Sequence, residues 1–124
     1  MKAKFSTAWK GSSQPRKQRK YRHNAALHTR QALVSAHLSA ELRKQYKKRS
    51  ITIKKDDTVK IMVGDFRGKT GKVTSVSPKK LAAYVEGAER TRRDGTKAMI
   101  PIKAANLMII EINSQDNKRL NKNA

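Results

Sequence analysis

The chain has 124 residues, 30 of them Lys or Arg against nine Asp or Glu, for a formal net charge of +21. A surplus of that size repels itself in the compact state and costs a free monomer stability; a polyanion is the natural compensation, and nucleic acid with a phosphate at every nucleotide is the fitting one. With 36% hydrophobic residues and no cysteine, the composition excludes a large core, a disulfide framework and a thiolate metal centre.

No apolar stretch approaches the ~18 residues of a membrane span. A membrane surface would call for an amphipathic helix with an apolar stripe, which the segment around the single Trp9 lacks. The N-terminus has no apolar core of a secretory signal, and Lys2 to Arg22 is too rich in Lys and Gln, and too poor in Leu, for a transit peptide. A cytoplasmic protein is expected. Charge is uneven: residues 1–50 hold 14 basic residues and one acid, Glu41, whereas residues 51–112 hold 13 against seven and most of the Ile, Val and Met. That division predicts a basic, RNA-wrapping N-terminal arm over 1–50, a small folded module over 51–112 and a flexible tail over 113–124.

Gly11-Ser12-Ser13-Gln14-Pro15 opens the arm as irregular chain. Arg16, Lys17, Arg19, Lys20, Arg22 and His23 follow as a basic run of the kind laid along phosphates. Asn24 is placed to cap a short helix from Ala25 to about Ser35, with Leu27, Ala32 and Leu33 near one face and His28 and Arg30 as further contact candidates. His37 lies in the connection. Ser39 can cap a second helix, Ala40 to about Lys47. Glu41 sits in its first turn, Arg43, Lys44, Lys47, Lys48 and Arg49 at or beyond its end, a distribution that suits the helix dipole. Neither helix carries enough apolar surface to stand alone, so RNA or the module must complete them.

From Ile51 the apolar period becomes two. After Lys54 and Lys55, Val59, Ile61 and Val63 alternate in a strand from Thr58 to Val63. The next strand, Lys72 to Ser77, has Val73 and Val76 out of parity, as a bulge or sharp bend in a small barrel requires. Ser77-Pro78-Lys79-Lys80 is a turn. Leu81, Ala83 and Val85 alternate in a third strand, Asp94-Gly95 signals a hairpin flanked by Arg90, Arg92 and Arg93, and Ala98–Ile102 and Leu107–Ile112 complete the set. About five short antiparallel strands in some sixty residues predict a mostly β protein, a small SH3-like barrel, behind an arm with two short helices.

The most informative stretch runs Val63-Gly64-Asp65-Phe66-Arg67-Gly68-Lys69-Thr70-Gly71-Lys72-Val73. A P-loop needs four residues between its first glycine and Gly-Lys-Ser/Thr; here only Asp65, Phe66 and Arg67 intervene, and a strand rather than a helix follows. A plain hairpin, with glycines where φ must be positive and cations merely exposed, is structurally sound. The third reading adds function: Gly64, Gly68 and Gly71 let the main chain approach a phosphate while Arg67, Lys69 and Lys72 supply charge.

Val59-x-Ile61-x-Val63-Gly64 with Gly68 and Gly71-Lys72-Val73 resembles the KOW motif, a strand–loop–strand unit that presents amides and basic side chains to RNA. Gln14-Pro15-Arg16-Lys17-Gln18-Arg19-Lys20, Ser35-Ala36-His37-Leu38-Ser39-Ala40-Glu41-Leu42-Arg43, Arg49-Ser50 and Ile53-Lys54-Lys55-Asp56-Asp57 resemble the archaeal and eukaryotic branch of one family. This is the universal KOW-bearing protein of the large ribosomal subunit, numbered twenty-four in bacteria and archaea and twenty-six in eukaryotes. The likeness runs from about Gln14 to Ile112. It implies a structural role in the large subunit, contact with 23S-type rRNA near its 5′ region, neighbouring ribosomal proteins as partners, a place close to the exit tunnel and early assembly. Length and tail point to the archaeal branch. Ala26 stands where the family tends to have Pro, and Lys103-Ala104-Ala105-Asn106 where it tends to have His-Pro-Ser-Asn.

No cofactor, metal, small-molecule substrate, membrane or second copy of the chain is expected, and no catalytic set is defensible. His23 and His28 are five apart, off the spacing that brings helical ligands together; stacking on RNA and plain exposure compete for them. Asp56 and Asp57, adjacent beside a strand, point apart and read as turn residues rather than paired acids. Tyr21 and Trp9 lie in basic runs where an aromatic can stack on a base. The rival functions are a free-standing KOW or SH3-like nucleic-acid binder in transcription or chromatin, and an NTPase.

Overall fold

The computed structural model describes residues 5–113; the Trp9 side chain and the expected tail beyond Asn113 lie outside the described residues. After a 3-10 turn at Thr7–Gly11 come α1 (Pro15–Asn24), α2 (Leu27–Leu33), β1 (Ser35–Leu38), α3 (Ala40–Tyr46) and β2 (Ser50–Thr52). Then follow β3 (Thr58–Ile61), β4 (Thr70–Ser77), β5 (Ala82–Thr91), β6 (Lys97–Lys103), a 3-10 turn at Ala104–Asn106 and β7 (Leu107–Glu111). The seven strands form one strongly bent sheet in the order β2-β1-β7-β3-β4-β5-β6, a small β-barrel-like domain with N-terminal helices.

Two strands exceed the expected five, and one pairing is not antiparallel. Ser35–Leu38 enters the sheet between β2 and β7, with His37 opposite Met108 and Leu38 opposite Ile109 in parallel register. The first fifty residues therefore do contain a strand. Ala36 and Leu38 face inward and are buried, and Val34 just before them is 1% exposed.

The basic run is helical, where its charge suggested irregular chain. Pro15 starts α1 with its φ preset, and Arg, Lys and Gln are good helix formers. Asn24 ends this helix rather than capping the next. Ala26 holds the N-cap of α2 with no side-chain cap bond. Its φ of −66° and ψ of 159° are the angles a proline would adopt, so the path survives without one. Leu27 (63% exposed) and Leu33 (40%) leave the apolar face of α2 in solvent. The last helix matches its expected span, but Ser39 makes no side-chain cap bond, and Lys47 closes it in the left-handed region at φ 55°.

In the barrel, alternation places Val59, Ile61, Val73, Val85, Leu107 and Ile109 in one core with Ile51 and Ile53. β3 stops at Ile61, two residues early. Val63 is exposed, because the Met62 N–H turns away to the Asn106 carbonyl (2.9 Å). The parity break in β4 is a bulge between Val73 and Ser75: the strand pairs β3 over its first residues and β5 over the rest, which turns the sheet's corner. Leu81 is not yet in the strand. It takes φ 54° in the turn after Pro78, and β5 begins at Ala82. β5 bends again between Tyr84 and Glu89, a second corner with Gly87 at φ 89°.

Asp57, the one buried charged residue among those described, locks the strand junction. One carboxylate oxygen accepts the Lys54 N–H (3.0 Å) and the other the Asn113 N–H (2.9 Å). Asp56 beside it is exposed at φ 71° and belongs to the turn.

Candidate nucleic-acid interface

The glycine loop between β3 and β4 is a closed, hydrogen-bonded turn. Gly68 donates its N–H to the Ile61 carbonyl (2.8 Å), Ile61 donates to the Lys69 carbonyl (2.9 Å), and Arg67 donates to the Gly64 carbonyl (3.2 Å). Gly64 at φ 106° and Gly68 at φ 88° occupy the region that glycine alone enters freely. Gly71 does not: its φ is ordinary. Its requirement is space, since a Cβ there would lie 2.6 Å from the Glu86 carbonyl oxygen and 3.1 Å from Val85. The expectation that Gly71 needs a conformation closed to other residues is corrected to a close approach between β4 and β5.

Arg67 stands exposed at the tip. Lys69 is exposed too, but its ammonium sits 5.0 Å from the centre of the Phe66 ring, a cation–π contact that fixes where its charge is offered. Gly68-Lys69-Thr70 leads into strand β4, so no helix N-terminus faces the loop, as a phosphate cradle of the P-loop kind would need.

Beside the loop, Val63, Gly64 and Phe66 meet Arg90, Ile100, Pro101, Lys103 and Asn106 around a groove of about 340 Å³. Arg90 was expected as a contact residue; Lys103 and Asn106 were not. Their distance in sequence from the loop hid the juxtaposition, which arises because β6 and the Ala104–Asn106 turn fold back against it. Farther along the β5–β6 hairpin, Arg92 and Arg93 are exposed at a tip closed by Thr96. The Thr96 hydroxyl (2.7 Å) and N–H (3.0 Å) both donate to the Asp94 carboxylate and hold its pKa below the ordinary value.

A second cleft lies between the arm and the barrel. Arg19, Arg22 and His23 of α1, Arg30 of α2, and Lys79, Lys80 and Leu81 of the β4–β5 turn enclose about 350 Å³. Arg16, Lys17 and Lys20 extend the basic surface along α1, and His28 is exposed on α2. Arg30 donates to the His23 carbonyl and so ties the two helices together. Tyr21, on the other hand, is buried and packs against Phe5, with ring centres 5.0 Å apart, which takes it away from the base-stacking role considered for it.

The remaining candidates are distributed. Arg43 and Lys44 are on α3, with Lys47, Lys48 and Arg49 just beyond it. His37 is half-buried in β1, and burial first, then Arg43 and Arg49, lowers its pKa, so it stays neutral where a free imidazole begins to protonate. Lys54 and Lys55 line a groove of about 410 Å³ with Gln31, Val34, Thr74 and Pro78. Lys72 is exposed on β4. No cluster of three or more ligating side chains that could hold a metal occurs among the described residues, and no described helix is long and apolar enough to cross a membrane.

Two comparisons bear on this surface. Residues 12–122 match the model of a family described as the ribosomal proteins L26 of eukaryotes and their archaeal counterparts numbered twenty-four. The large ribosomal subunit protein uL24 of Methanothrix thermoacetophila is 51% identical over 108 residues, covering 87% of this chain and 93% of that protein.

Proposed function

The chain belongs to the ribosomal protein family that joins eukaryotic L26 with its archaeal counterpart, and from that membership we propose that it is a structural constituent of the large ribosomal subunit that grips large-subunit rRNA. One observation carries the reading. No described Lys or Arg is buried as a whole residue, and these cations line α1, the glycine loop, the β4–β5 turn and the β5–β6 hairpin alike. A chain that keeps such an excess of cations in solvent on both arm and barrel is built to lie against phosphate over an extended surface.

In this reading the protein works on the ribosome in the cytoplasm, joins the rRNA early in assembly and sits near the exit tunnel among other large-subunit proteins. The arm follows the RNA backbone, while the glycine loop and its groove make the closer approach. The sheet from Ser35 onward serves as the rigid seat, and α1 and α2 as the wrapping arm, so the seat begins earlier than residue 51. A free-standing binder has no observation of its own in support, because Ser35–Leu38 belongs to the same sheet as β7 rather than to a separate folded unit.

Sedimentation of cell extract tests the reading. The protein should travel with the large subunit and stay there in moderate salt. With a purified rRNA fragment, log affinity should fall against log salt by about 0.7 to 0.9 per phosphate neutralised. A flat salt dependence, or migration away from the large subunit, would overturn it.

A further inference from the structure

The cleft between the arm and the β4–β5 turn has a composition that the chain alone does not account for. Five cationic side chains and His23 reach it from three elements, and no carboxylate lines it. Arg19 and Arg22 lie three positions apart on one face of a ten-residue helix that contains no acid. Like charges at that spacing repel, and a helix so short does not stand by itself in water. Packing offers one anchor within α1, Tyr21.

Arg30 lines the cleft from α2. One terminal nitrogen of its guanidinium donates to the His23 carbonyl, while Nε is buried with no hydrogen-bond partner among the described residues. A buried N–H without an acceptor is unfavourable, and a guanidinium edge is matched to two oxygens of an oxyanion. Lys79 and Lys80, exposed on the β4–β5 turn, add point charges that need no fixed geometry.

We propose that this cleft binds two adjacent phosphates of one folded RNA segment, one on Arg19, Arg22 and Arg30, the other on Lys79 and Lys80, and that filling it docks α1 and α2 onto the barrel. The inference rests on the rRNA-binding reading and adds to it a defined site that couples arm to barrel. An anion that fits only the docked arrangement shifts the arm toward it by mass action.

The test uses the full chain and inorganic pyrophosphate, with sodium chloride at matched ionic strength as the control. Pyrophosphate should slow amide exchange across α1 and α2, and chloride should not. Arg30→Lys keeps the charge but loses the fork, and should weaken pyrophosphate about tenfold, the worth of one charge-assisted hydrogen bond. Lys79→Ala with Lys80→Ala, on an exposed turn, should weaken it at least as much, with thermal unfolding unchanged. Arg67→Ala with Lys69→Ala should leave it intact. Equal protection by chloride, or equal loss in the loop variant, overturns the site. An rRNA fragment assayed in parallel separates the two readings. Tight rRNA binding untouched by both cleft variants overturns the site and leaves the general reading standing; pyrophosphate held in the cleft without rRNA affinity overturns RNA as the source of the phosphates.

Discussion

Helices α1 and α2 and the strands that follow Val34 use their apolar residues in opposite ways. Within α1 only Tyr21 is buried, and within α2 nothing is, Leu27 and Leu33 being exposed. In β1, β3 and β7 every second residue enters a common core. The strands thus carry their own reason to be ordered, whereas the two helices depend on a few contacts and on whatever neutralises their charge. The proposed function divides along the same line. A rigid part can offer fixed geometry, as the glycine loop does, and a weakly held part can conform to an irregular polyanion.

The hardest blow to the rigid side should come from Gly71→Val. Its branched side chain has to displace the Glu86 carbonyl, and the barrel should lose about 3 kcal/mol or more in denaturant unfolding, with RNA binding falling as a consequence. Asp57→Ala should come next, at about 2–3 kcal/mol, because the Lys54 and Asn113 amides lose their acceptor; urea unfolding reads this directly. The effect should fall on residues after Val34 and leave the α1 contact between Phe5 and Tyr21 untouched.

Arg67→Ala with Lys69→Ala separates binding from stability. Thermal unfolding should stay at the wild-type value, while rRNA affinity drops by about 1–3 kcal/mol in a filter or calorimetric titration. Wild-type affinity in that variant would move the functional surface to the arm. Hydrogen exchange on the free chain in chloride sharpens the contrast further. Protection should begin at the sheet amides near Leu38, which donates to the Arg49 carbonyl at 3.0 Å, and α1 should exchange with an opening free energy of only about 1 kcal/mol. Strong protection across Arg16 to Asn24 without an anion would break the comparison. The smallest effect expected is a gain: Ala26→Pro matches the existing backbone angles and should stabilise by about 0.5 kcal/mol through the unfolded state, seen as a slightly raised Tm.

How much of this was legible in the sequence depends on the range of the interaction that fixes each element. The alternation of Val59 with Ile61 and the parity break at Val73 and Val76 are local, and they announced both the strand and its bulge. Asp94-Gly95 announced the hairpin for the same reason. Ser35–Leu38 was hidden because four residues are too few to show a period and its partners are Ile51 and Ile109, far along the chain. In α1 the density of charge masked a good run of helix formers. Gly71 was singled out correctly for the wrong cause, since no local pattern reveals that Glu86 passes beside it. The site behaves likewise. Its cations were visible one by one, but the meeting of Arg30 with Lys79, or of Arg90 with Asn106, is created by the fold.

The parallel pairing of β1 with β7 also sets an order in time. His37 and Met108 are about seventy residues apart, so the loop they close is long and its entropic cost falls late in folding. During synthesis, at roughly 5–20 residues per second, β1 waits several seconds for the partner that holds it in the sheet. Throughout that interval α1 and α2 have already been made, with their cations exposed and no barrel to lean on. The arm is therefore available to a polyanion before the domain that anchors it exists.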